Sequence, residues 1–124
     1  MLSRITALIV LGLVTTASAH ELAKGPNGGP LVDVAGRHVE MVAKGTELVF
    51  YLTDAVDKPL ASAGTKAARA IVQDAGKTAT VPLTPADPNK LVGSLAQPLG
   101  AGARVVVSAT LADGQALQAR FTNN

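Results

Sequence analysis

Turn-forming residues interrupt this chain roughly every ten positions, and that spacing leaves room for short strands and little else. Lys44-Gly45, Asp54–Pro59 and Asp113-Gly114 are the clearest breaks. Between such breaks lie Leu31–Val34, Arg37–Ala43, Glu47–Thr53, Lys66–Asp74, Thr78–Thr84, Leu91–Ala96, Arg104–Leu111 and Leu117–Thr122. Most are rich in β-branched or alternating apolar residues. The alanines of Lys66–Asp74 also suit a helix. Ala68, Ala70 and Val72 share one strand face, however, and the flanking turns favour a strand. Pro82 has no N–H to give to a ladder, so Thr78–Thr84 is expected at a sheet edge. Asp113-Gly114 predicts a hairpin between the last two strands. About seven or eight short strands predict an all-β fold, an Ig-like antiparallel β-sandwich, with a small Greek-key barrel as the alternative.

Ahead of the first strand, Gly25-Pro26-Asn27-Gly28-Gly29-Pro30 is dense in turn formers. A glycine-rich loop can cradle an anion with its main-chain N–H groups. No Lys-Ser/Thr pair follows and no helix begins there, so the plain turn is the preferred reading. Residues 20–29 are expected to form an irregular arm, with the β-domain spanning 30–124.

The first residues carry an export pattern. Arg4 supplies a positive n-region, Ile5–Val14 an apolar h-region, and Ala17-Ser18-Ala19 the small residues of a cleavage site. The apolar run is too short to span a bilayer as a helix. Cleavage after Ala19 is the favoured expectation, with cleavage after Ala17 or an uncleaved interfacial anchor as alternatives. The first leaves 105 of the 124 residues as one periplasmic domain with no membrane anchor.

Composition removes several function classes. Without Arg4, ten basic residues face nine acidic ones, so net charge points to neither nucleic acid nor an anionic membrane. The only aromatic residues are Phe50, Tyr51 and Phe121, too few for base or sugar stacking. Cysteine is absent, which excludes disulfides, thiol redox and thiolate metal sites. No Ser/His/Asp grouping is recognisable, and an enzyme is not expected. Asp54 and Asp57 fall short of an EF-hand loop and are read as turn residues.

The two histidines carry what chemistry remains. On a strand, His38 and Glu40 share one face of "RHVEMV", while Val39 and Met41 share the other, the core face. Met41 is thus packing rather than a soft ligand. His20 becomes the first residue after cleavage at Ala19. It then offers its α-amine and its ring Nδ1 as a chelating pair. With the imidazole of His38, this gives a nitrogen-rich set of the kind Cu(II) favours, Zn(II) being the second choice. Glu40 is a candidate axial ligand or orienting carboxylate, and Glu21 a candidate extra oxygen ligand. The residues equally permit a solvated polar pair with no metal role. In that case the chain is a non-catalytic interaction domain that pairs through a sheet edge, such as the Pro82 strand or the final strand.

The run "GPNGGPLVDVAGRHVEMV", followed by "ELVFYLTD" and "KPL", resembles a family of small exported bacterial proteins. It also resembles the N-terminal segment of periplasmic adaptor subunits of heavy-metal efflux pumps. The similarity covers about residues 24–60 and matches Gly25, Pro26, Asn27, Gly28, Gly29, His38 and Glu40 to the motif. It implies a periplasmic β-domain that handles transition metals, with an efflux component as a partner. The family motif often has His where this chain has Asn27 and Lys24, and the long helical hairpin of a full adaptor is missing. His20 alone is also similar to the leading histidine of β-sandwich copper carriers and of oxidative polysaccharide-cleaving enzymes.

Overall fold

The computed structural model describes residues 20–124, with side chains from Lys24 onward. The expected export segment and its expected cleavage site lie outside the described residues. Ten strands follow one another: β1 His20–Lys24, β2 Pro30–Val34, β3 Arg37–Lys44, β4 Glu47–Thr53, β5 Lys66–Asp74, β6 Lys77–Pro82, β7 Thr84–Ala86, β8 Lys90–Ser94, β9 Arg104–Thr110 and β10 Ala116–Thr122. They form two antiparallel sheets, ordered β1-β2-β3-β4-β8-β7 and β10-β9-β5-β6. The described chain is therefore all-β and sandwich-like.

Alternation explains the core. In β10 every second residue is buried, and in β9 Val105, Val107 and Ala109 turn inward. They meet Val39, Met41, Phe50 and Leu52 of the larger sheet in one cluster. Phe50 of β4 and Phe121 of β10 stack across the layers at 5.7 Å between ring centroids. With so few rings in the chain, this pair and the leucines supply most of the large apolar surface that drives the sheets together.

Two expectations change in detail. The arm is half strand, because β1 pairs antiparallel with β2 through His20, Glu21, Leu22 and Lys24. The run expected as one strand, Thr78–Thr84, belongs to both layers. Up to Pro82 it pairs with β5, and from Thr84 it pairs with β8. Buried Leu83 sits at the crossing, where its N–H donates to the Ala68 carbonyl. Pro82 and Pro85 thus both fall on edge strands, as their missing donors require.

The β2–β3 and β5–β6 hairpins both turn through Ala-Gly, with φ of 52° at Ala35, 81° at Gly36, 51° at Ala75 and 79° at Gly76. Positive φ at both central residues defines the turn that suits strand twist, and alanine is strained there. Asparagine tolerates that conformation better. Ala75→Asn is expected to raise the unfolding free energy by about 0.5–1 kcal/mol in urea melts.

Candidate functional site

The glycine-rich segment folds as a turn and as a cradle at once. The Gly28 N–H donates to the Gly25 carbonyl at 2.9 Å, and the Gly25 N–H to the Gly29 carbonyl at 2.8 Å. That closure aims two main-chain N–H groups at one carboxylate oxygen. Glu40 Oε2 accepts from the Asn27 N–H at 2.9 Å and from the Gly29 N–H at 2.8 Å. Its Oε1 accepts from Asn27 Nδ2 at 3.0 Å. The anion held by this loop is the chain's own, and Glu40 is only 1% exposed. Two glycines let the loop lie this close. A Cβ on Gly25 would overlap the Glu40 carboxyl, and one on Gly29 would overlap the Met41 carbonyl oxygen.

Two of the remaining candidates, His20 and His38, fall in one register row of the larger sheet. Strand register sets His20 opposite Asp33, Asp33 opposite His38, and His38 opposite Thr53. His20 and His38 are therefore in one row with Asp33 between them, about 10 Å apart at Cα from two interstrand spacings. Glu21 belongs to the next row, opposite Val32, and Glu40 is paired with Leu31 and Tyr51. The structure thus gathers His20 and His38 along a row and leaves Glu21 and Glu40 out of it.

His38 is oriented by the carboxylate of Asp57, a residue whose sequence context points only to a turn. Its Nδ1 is 2.9 Å from Asp57 Oδ1, while Nε2 is 3.8 Å from Asp33 Oδ2. With the side chain 14% exposed, the ring is held rather than free. Asp57 reaches it because the turn is tightly made. Asp54 Oδ1 accepts from the N–H groups of Val56 and Lys58, both at 2.9 Å, and the Asp57 N–H donates to the Asp54 carbonyl. The Lys58 N–H bond is the main cause that holds the Asp54 carboxyl below its ordinary pKa; it outweighs the opposing desolvation, with the Val56 N–H adding in the same direction. Among residues with described side chains, no three His, Asp or Glu groups converge on one metal-sized point.

No known protein-family model matches the chain, and no curated protein matches it.

Two outcomes follow. Glu40→Ala leaves the buried Gly29 N–H and the part-buried Asn27 N–H without their acceptor and is expected to cost about 3 kcal/mol in chemical denaturation. Glu40→Gln keeps one acceptor oxygen for them, and rotation of the Asn27 amide restores the third bond, so its cost is about 1 kcal/mol. The Asp54 turn has its own pH signature. A carboxylate with a depressed folded pKa contributes fully above the ordinary range and loses that contribution as pH falls through the folded value. Asp54→Ala removes the acceptor of the Val56 and Lys58 N–H groups and is expected to loosen the turn that carries Asp57, seen as faster amide hydrogen exchange at Val56 and Lys58 at neutral pH.

Proposed function

We propose that this is a periplasmic, non-catalytic protein that binds a divalent transition metal, Cu(II) in preference to Zn(II), as an accessory to heavy-metal efflux. The observation that carries this reading is the register row His20–Asp33–His38 together with the Asp57 contact on His38 Nδ1. A histidine that ligates through one ring nitrogen commonly gives its other N–H to a carboxylate, which fixes the tautomer and the ring plane. With Nδ1–H on Asp57, the lone pair of Nε2 faces Asp33 and the β1 edge. Signal cleavage after Ala19 would add the His20 α-amine and imidazole on that side. The donors are then nitrogen-rich with one carboxylate oxygen at hand, a set suited to tetragonal Cu(II). Glu40 contributes by shaping the loop rather than by ligation. The pairings β4 with β8 and β5 with β9, with strands 5 and 6 in the other layer, also support an Ig-like Greek-key arrangement.

Intact mass of the exported protein is expected to begin at His20. Copper titration is expected to give one tight site per chain. It should be lost in His38→Ala and in a variant with one residue added before His20. In Asp57→Ala it should weaken by about 10–100-fold. Equal affinity in all of these proteins, or no binding in any, would overturn the reading.

A further inference from the structure

Near-neutral composition conceals an uneven spread of charge: the strands of the larger sheet balance acids against bases, whereas those of the smaller sheet are net positive. The strands of the smaller sheet hold Lys66, Arg69, Lys77, Arg104 and Arg120 and a single acid, Asp74. Asp74 is occupied at the strand end, where its Oδ2 accepts from the Gly100 N–H at 2.8 Å. Of the nine acidic residues in the chain, the other eight belong to the larger sheet and the loops.

The outer face of the smaller sheet follows from its register. Arg69 is opposite Ser108, which is opposite Gln118. Arg120 is opposite Val106, which is opposite Ile71. Arg104 lies between Thr122 and Gln73. No carboxylate shares these rows. Arg104 and Arg120 are diagonal neighbours on adjacent strands, about 7–8 Å apart. They border a depression of about 310 Å³ lined also by Gln73, Val106 and Thr122. Arg69, Arg104 and Arg120 are all exposed, and among the described residues none of them forms an ion pair.

We infer that this face is a docking surface for a protein partner with an acidic contact patch. Three properties select that occupant. The forward charge on the face is carried mainly by guanidinium groups, which pair with carboxylates through two parallel bonds. Arginines ringing half-buried Ile71 and Val106 reproduce the apolar centre and polar rim of a protein interface. A face without aromatic rings or protruding apolar side chains offers nothing to insert into a bilayer, which is what lipid-surface helices supply. The face is on the order of 400 Å² from strand spacing and rise, the size of a transient, salt-sensitive contact. This inference is independent of the metal reading, because the copper row lies on the other sheet.

The test follows backbone amide shifts of the protein by NMR as a capped peptide of about ten glutamates is added at low salt, near 50 mM, where screening is weak. Saturable shifts are expected at Arg69, Ile71, Arg104, Val106 and Arg120, and they should vanish near 0.5 M salt. Arg104→Glu with Arg120→Glu is expected to weaken binding by about tenfold or more. Lys44→Glu with Lys58→Glu changes net charge equally on the other sheet and its loop, and should leave binding within about twofold. Arg104→Gln with Arg120→Gln serves if the charge reversal disturbs folding, and should weaken binding in the same direction. No localised shifts, or equal loss in the two charge-reversed proteins, would overturn the inference. So would binding to anionic phosphatidylglycerol vesicles without binding to the peptide.

Discussion

One buried carboxylate organises the end of the molecule where the chain enters its fold. Glu40 is inaccessible to water, and a charge in that position persists only if it is fully hydrogen-bonded. The loop from Gly25 to Gly29 satisfies it with two main-chain N–H groups and the Asn27 amide. The requirement runs both ways, since those N–H groups would otherwise be stranded under the turn. This mutual need fixes the β1–β2 hairpin onto β3 and so sets the register that aligns His20, Asp33 and His38. The glycines are explained by the same contact, because a side chain at position 25 or 29 would occupy space that the carboxyl or the β3 backbone already fills.

The fold was largely legible in the chain where local pattern decides it. Glu47–Thr53 and Lys66–Asp74 form strands with the bounds read from the residues, and the helix alternative for the second fails. Val39 and Met41 are buried as alternation required. Pro82 and the last strand do lie at sheet edges. β1 was missed because "HELAK" carries no alternation of its own. It is a strand only through pairing with β2 across the glycine loop. The split of Thr78–Thr84 was missed because a change of sheet leaves no mark on side-chain period when Leu83 remains buried throughout.

The site was legible in part, and the missing part has one cause. Sequence alternation put His38 and Glu40 on a common face, but side-chain period says nothing about what else arrives there. Glu40 is met by donors 11 and 13 residues away, and both donors at Oε2 are main-chain groups that any residue carries. His38 is met by Asp57 across 19 residues, through a turn whose shape depends on Asp54. The anion cradle weighed against a plain turn for the glycine loop is present, but it serves an internal ligand. Charge is a parallel case. Counting residues gives a near-neutral domain, whereas topology puts Arg69, Arg104 and Arg120 on one layer, a partition invisible until the strand order is known.

The crossing at Leu83 also bears on how the molecule comes apart. A segment that is stitched to one layer before residue 83 and to the other after it acts as a hinge pin through both. An edge strand of each sheet is therefore tethered through the main chain to the other layer, which couples the opening of those two edges. A domain without cysteine thereby gains a main-chain tether between its layers where a disulfide could otherwise tie them.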